Sequence, residues 1–213
     1  MNKVNLYVLD LSDKPYDASR LPLLEEKRRK NAEEAKNFLY KLRTLYSGLL
    51  LRYALKEEGE IVPPTPLNVK YNLFGKPFIT DGFKNFSITH SGNLVIVAVS
   101  QSEIGVDAEI AQKKVYTHIA PKVFSEKELN EYENLFGEAK TEYFLSKWTQ
   151  KEAYLKYVGT GLTKNLSSVV CENGKIKGVP VFTEKLTKGK YSYFVSVVTG
   201  DEAEINVIYV DEV

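Results

Sequence analysis

Three acidic residues lie where the surrounding sequence is otherwise apolar, and they restrict how this chain can fold. Asp107 and Glu109 belong to Ile104-Gly105-Val106-Asp107-Ala108-Glu109, which reads as a strand following the apolar run at 95–99. Alternate side chains of a strand share a face, so the Asp-x-Glu spacing aims both carboxylates the same way. Glu152 sits in the helical segment Trp148-Thr149-Gln150-Lys151-Glu152-Ala153-Tyr154-Leu155-Lys156. At about 100° per residue, Phe144, Trp148, Leu155 and Val158 form an apolar stripe that Leu145 widens, and Glu152 projects between Trp148 and Leu145. A carboxylate in such a place needs a partner, and a hard metal ion is one of the few that satisfies three acids at once. The pattern predicts that this strand and this helix meet.

Each acid also has a plainer explanation. Alone, an Asp-x-Glu pair on a strand is most often a solvated face; here the strand reads as interior, with its acids near the C-terminal end where ligand sites gather. Glu152 and Lys156 fit an i, i+4 surface pair worth about 0.2–0.5 kcal/mol. That pair accounts for the spacing but not for the placement against Trp148.

At 213 residues the chain can bury a real core, as one domain or as two small ones packed closely. Lys and Arg number 29 against 28 Asp and Glu, a net charge of +1, so no global charge points to nucleic acid or membrane. A single cysteine, Cys171, excludes an internal disulfide and a cysteine-rich zinc site, and reads as a buried strand residue. With His90 and His118 as the two histidines, metal chemistry is expected to be oxygen-ligated and Mg²⁺-like. The first ten residues read as a strand rather than a signal peptide, and no apolar run is long enough to span a bilayer. A reducing cytoplasm is the expected compartment.

Helical sequence runs over 23–58 with a break near its middle. Its first part is basic (Lys27, Arg28, Arg29, Lys30), its second apolar, and Gly59 and the prolines 63, 64 and 66 end it. Gly75-Lys76-Pro77 is a turn within 71–79. Strands are expected over 86–89 and 94–100 around a tight turn at His90-Ser91-Gly92-Asn93, then over 104–110. Short helices follow over 116–123 and 126–136, the second with a Ser125/Glu128 capping box, then a longer one over 139–158 that Gly159 stops. The remainder alternates as strands over 167–172, 179–183, 191–198 and 204–210. Both halves thus read strand, helices, strands.

The basic run is a solvated helix face or a phosphate-binding patch; the second reading gains if Lys76 and His90 converge with it. The turn beside His90 is expected to expose backbone N–H groups suited to a phosphate oxygen. His118 reads as structural.

Taken together, Phe86-Ser87-Ile88-Thr89-His90-Ser91-Gly92, the strand with Asp107 and Glu109, and the helix with Glu152, closed by Gly159-Thr160-Gly161-Leu162, resemble the Sfp-type 4′-phosphopantetheinyl transferases in order, spacing and length. Gly75-Lys76-Pro77 and residues 27–44 look like that family's upstream blocks, so the resemblance covers roughly residues 1–170. It implies an α+β fold, a monomer of two similar α/β subdomains related by pseudo-twofold symmetry, here divided as 1–103 (coenzyme A binding) and 104–213 (metal and catalytic residues). The implied activity moves the phosphopantetheine arm of coenzyme A onto a serine of an apo acyl or peptidyl carrier protein. By the same resemblance Asp107, Glu109 and Glu152 hold Mg²⁺ (Mn²⁺ being the alternative). Lys27, Lys30, Arg43, Thr44, Lys76, Thr89, His90 and Lys156 line the coenzyme A site, and Glu152 and Lys156 are the catalytic pair. Departures from the family pattern are Ser87 (often asparagine), Thr89 (often serine), Ala108 (a larger aliphatic) and Thr160 (a lysine). Loss of the amide at 87 puts one local hydrogen bond in question. The carrier-docking surface is read at 113–124 (Val115, Tyr116, Ile119, Phe124), where core packing is the competing role. The alternatives to the transferase are a non-catalytic coenzyme A or nucleotide-binding module, and a nucleic-acid- or ribosome-associated protein using the basic run.

Overall fold

Two main sheets organise the chain. A computed structural model describes residues 2–80, 84–112, 116–161 and 165–213. β1 (Asn2–Asp10) is followed by α1 (Glu26–Glu34) and α2 (Phe38–Glu57), the small hairpin β2 (Val69–Tyr71) and β3 (Pro77–Ile79), then β4 (Asn85–Ser91), β5 (Leu94–Ser100) and β6 (Ile104–Ile110). The short helices α3 (Ala120–Val123) and α4 (Glu126–Glu133) lead to the long α5 (Gly137–Val158). The chain closes with β7 (Cys171–Glu172), β8 (Lys175–Ile176), β9 (Val179–Lys188), β10 (Tyr191–Thr199) and β11 (Ala203–Val210). The first sheet has the order β11-β1-β5-β4 and the second β6-β10-β9-β8-β7. β11 runs parallel to β1, so the last strand of the chain completes the first sheet; the other pairs are antiparallel.

β5 shows why these residues pack as they do. All seven of its residues are buried. Val95, Val97 and Val99 point into a core shared with Leu45, Leu49 and Leu50 of α2, while Leu94, Ile96 and Ala98 point the other way. There they meet Val106 and Ala108 of β6 and Val195 and Val197 of β10, which joins the two sheets. A third core lies between α5 and the second sheet, around Phe144, Leu145 and Leu155. Burying each such aliphatic side chain contributes about 1.5–3 kcal/mol, and a strand apolar on both faces can be satisfied only between layers.

The expected helix break falls between α1 and α2, where the Asn37 side chain accepts the Tyr40 N–H and caps α2. Ser125 and Glu128 form the expected capping box of α4. Two expectations are corrected. β4 continues through Ser91, with His90 opposite Val95 and Ser91 opposite Leu94, so the turn is Gly92-Asn93 alone, with Gly92 at φ +53°. His90 and Ser91 are therefore strand residues and offer no turn of free N–H groups. The strand expected over 167–172 shrinks to β7, because Asn165 accepts the Ser167 N–H and Ser168 donates to the Asn165 carbonyl, which winds Leu166–Ser168 into a 3₁₀ turn. Among the described residues no helix is long and apolar enough to cross a membrane.

Candidate active site

Helix α5 comes unusually close to β6, and one residue permits it. A Cβ built on Gly105 would lie 2.0 Å from the Ala153 carbonyl oxygen and 2.4 Å from the Tyr157 nitrogen. With hydrogen there, the helix backbone rests on the strand and delivers Glu152 and Lys156 beside Asp107. Gly159, at φ +69°, then ends the helix in a left-handed cap.

A cavity of about 570 Å³ opens over this junction. α5 supplies Trp148, Glu152 and Lys156 to its wall, β6 supplies Asp107 and Glu109, and β4 supplies Thr89 and His90. Lys27, Thr44, Tyr71 and Lys76 line the far side. Of the eleven residues expected at the site, nine thus face one cavity. Lys30 and Arg43 do not. Lys30 sits 3.9 Å from Glu26 on the solvent side of α1, and both Nε (2.9 Å) and Nη2 of Arg43 donate to the Gly92 carbonyl, behind the cavity. Lys27 stands over the Tyr71 ring, 3.8 Å from its centroid. The Tyr71 hydroxyl and Arg28 in turn donate to Glu25, so part of the basic run is engaged within the protein. The Thr44 hydroxyl donates to the Tyr40 carbonyl of its own helix. The Lys76 ammonium is directed to Glu103 (2.6 Å) and to the carbonyls of Tyr157 (2.9 Å) and Ile104 (3.4 Å), tying the β2–β3 hairpin to α5.

Lys156 does not pair with Glu152. Its ammonium donates to Asp107 Oδ1 at 2.7 Å and more distantly to the Ile88 carbonyl, which removes the surface-pair explanation. Asp107 Oδ1 also accepts from Thr89 Oγ1 at 3.1 Å, while Asp107 Oδ2 and Glu152 Oε1 are buried oxygens without a hydrogen-bond partner. Burial, followed by the negative charge of Asp107, raises the Glu152 carboxyl to a pKa of about 7; Lys156 partly opposes this and Glu109 adds to it. His90 is exposed, yet desolvation by the atoms packed around it and the Arg43 cation hold its pKa below the usual value, so it is neutral at pH 7.

Orphaned, repelling carboxylate oxygens are what a hard cation satisfies, and the donor set suits Mg²⁺. Among the described residues no three acidic, histidine or cysteine side chains close into a finished metal cage. Asp107, Glu109 and Glu152 line one cavity, with unpartnered oxygens on Asp107 and Glu152, and phosphate and water oxygens would have to complete a coordination shell.

The sequence compares directly with known proteins. Residues 103–207 match the 4′-phosphopantetheinyl transferase superfamily. A provisionally named 4′-phosphopantetheinyl transferase of Synechocystis sp., slr0495, is 32% identical over 171 residues, covering 78% of this chain and 69% of that protein. The chain belongs to the 4′-phosphopantetheinyl transferase family, and to its Sfp type. The Sfp transferase of Bacillus subtilis strain 168 is 32% identical over 143 residues, and the ffp transferase of Bacillus subtilis 34% identical over 145 residues. Each of these alignments covers 64% of this chain and 62% of the relative, so the match spans less than two thirds of the Bacillus proteins.

The departures from the transferase pattern now have a setting. The Ser87 hydroxyl accepts the Val106 N–H at 3.0 Å, so a local hydrogen bond exists without the amide. Ala108 is buried in the core between the sheets, away from the acids. In the segment read as a docking surface, residues 113–115 lie outside the described residues; Phe124 is buried, Tyr116 stacks on Phe144 with centroids 4.0 Å apart, and Ile119 is exposed. Core packing therefore claims Phe124 and Tyr116. His118 is exposed in the turn before α3. The residue that sequence reasoning passed over is Ser91, whose hydroxyl donates to Glu109 Oε2 at 2.8 Å. Its alternation with Ser87 and Thr89 along one strand was the available signal.

Proposed function

We propose that this chain transfers the 4′-phosphopantetheine arm of coenzyme A to a serine of an apo acyl or peptidyl carrier protein, releasing adenosine 3′,5′-bisphosphate. The observation that carries this reading is the pair of orphaned oxygens on Asp107 and Glu152, facing one cavity with Lys156 in a chain of this family. In this reading coenzyme A lies in the cavity with its pyrophosphate toward Asp107, Glu109 and Glu152. Mg²⁺ held by these three carboxylates would neutralise the pyrophosphate and orient its phosphorus for in-line attack.

The chain's own residues do the rest. Glu152, whose carboxyl burial and Asp107 raise to a pKa of about 7 in the metal-free protein, takes the proton of the carrier serine, directly or through one water. The serine oxygen bonds the phosphorus of the pantetheine side, the bridging P–O bond breaks, and its electron pair leaves with the bisphosphate. Lys156, anchored on Asp107 at 2.7 Å, places a cation where charge grows on the leaving oxygens. Lys27 and neutral His90 sit where they can donate to phosphate oxygens. Lys30 and Arg43 would act on coenzyme A only by moving toward it.

We also infer a two-lobed organisation, 1–103 and 104–213, related by pseudo-twofold symmetry and tied by β11, with the protein acting as a monomer in the cytoplasm. Incubation with an apo-carrier, coenzyme A and Mg²⁺, followed by intact-mass spectrometry, tests the activity. Coenzyme A binding without any change in carrier mass would instead establish a binding module.

A further inference from the structure

β4 and β6 are edge strands of different sheets that lie side by side, and no backbone ladder joins them. β6 gives one edge to β10, so the N–H groups on its other edge need acceptors near β4. Three hydroxyls on alternate residues of β4 supply them. Ser87 accepts the Val106 N–H at 3.0 Å, Thr89 the Ala108 N–H at 3.3 Å, and Ser91 the Ile110 N–H at 3.0 Å. The constant offset of 19 residues means that the strands run parallel, and Ser87, Thr89 and Ser91 are 6, 5 and 6% exposed.

A hydroxyl that accepts still has a proton to give. Thr89 gives it to Asp107 Oδ1 at 3.1 Å and Ser91 to Glu109 Oε2 at 2.8 Å. In both cases the recipient is the carboxylate of the residue just before the N–H that the hydroxyl accepts. The same rule would send the Ser87 proton to residue 105, which is glycine and has no side chain.

We infer that Thr89 and Ser91 are positioning residues for the metal-binding carboxylates: the hydroxyl ladder that splices the two sheets also fixes the orientations of Asp107 and Glu109. The inference rests on the metal reading given above. It also reassigns Thr89, whose hydroxyl is engaged on both sides within the protein and acts on coenzyme A through Asp107. Ser87 belongs to the splice alone and is the built-in control.

Partners of this kind, behind metal-binding groups, typically change affinity about 10- to 100-fold when removed. The test is Mn²⁺ titration by electron paramagnetic resonance with coenzyme A present, alongside thermal melts in chelator and the Mg²⁺ dependence of transfer. Ser91→Ala and Thr89→Val should each weaken Mn²⁺ binding about 10-fold or more and raise the Mg²⁺ needed for half-maximal transfer. Ser91→Thr and Thr89→Ser, which keep the hydroxyl, should restore both. Ser87→Ala should melt earlier, with Mn²⁺ affinity within about twofold of the parent, well short of the about 10- to 100-fold change expected on losing a partner behind a metal ligand. Unchanged Mn²⁺ affinity in Ser91→Ala, or equal weakening in Ser87→Ala, overturns the ladder's role while leaving the metal reading intact. Parent protein that takes up no Mn²⁺ overturns the metal reading and the inference with it.

Discussion

Replacing Glu152 by glutamine should make the metal-free protein more stable while disabling it. In the folded chain the Glu152 carboxyl is raised from 4.5 to about 7, first by burial and then by Asp107. A shift of that size corresponds to about 3 kcal/mol of differential interaction, and partial access to solvent through the cavity reduces it to about 1–2 kcal/mol. The sign follows from proton counting. Between pH 4.5 and about 7 the unfolded chain has released this proton and the folded chain still holds it, so the contribution of Glu152 to stability declines as pH rises through that window and stays low above it. An amide does not titrate. Glu152→Gln should therefore match the parent below pH 4.5 and exceed it by about 1–2 kcal/mol at pH 8, about 2–8 °C in melting temperature for a chain of 213 residues. The assay is circular-dichroism melting of both proteins from pH 4 to 8 in chelator, then at pH 8 with Mg²⁺ and coenzyme A, where the parent should gain and the variant gain less. A variant less stable than the parent at pH 8, or a difference that does not change with pH, would refute the picture of a repelled, buried carboxylate.

Gly105→Ala should cost about 3 kcal/mol in urea unfolding and depress transfer, because the new methyl meets the backbone of Ala153 and Tyr157 and drives α5 off β6; a loss under 1 kcal/mol would mean that the close contact is not needed. Lys151 is wholly buried and donates to Glu128 (2.7 Å), the Val123 carbonyl (2.8 Å) and the Leu166 carbonyl (3.0 Å). Lys151→Met should cost about 3–5 kcal/mol by stranding Glu128, and Lys151→Met with Glu128→Gln should recover much of that in the same melts.

What the sequence disclosed and what it hid follow from the range of the interactions concerned. β6 and α5 were legible to within two residues because each carries its own period, and Gly159 marks the end of the helix. The meeting of β6 with α5 could be anticipated because the apolar stripe of α5 must face a sheet, whereas the pairing of Lys156 with Asp107 could not. Lys30 and Arg43 were placed in the cleft by resemblance, whereas long side chains on a helix go where local partners take them, here Glu26 and the Gly92 carbonyl. The turn after β4 was read two residues too wide, since nothing in His90-Ser91 marks the last ladder rung. Least legible were contacts between distant segments: β11 beside β1, some 200 residues away in register with Asn5 opposite Asn206, and the hydroxyl splice of β4 to β6. The alternating hydroxyls of β4 hint at a joint but do not name β6 as the neighbour, because side chains rather than backbone make it.

We propose that the acids around Asp107 and Glu152 form a phosphopantetheine-transferring site. Intact-mass measurement of a panel of apo-carriers, each incubated with coenzyme A, Mg²⁺ and either the parent or Glu152→Gln, addresses it most directly. The parent should add one phosphopantetheine to a single serine of at least one carrier and none in chelator, and the variant should add none at saturating Mg²⁺. Carriers unmodified by a parent protein that binds coenzyme A, or near-normal transfer by Glu152→Gln, would contradict it.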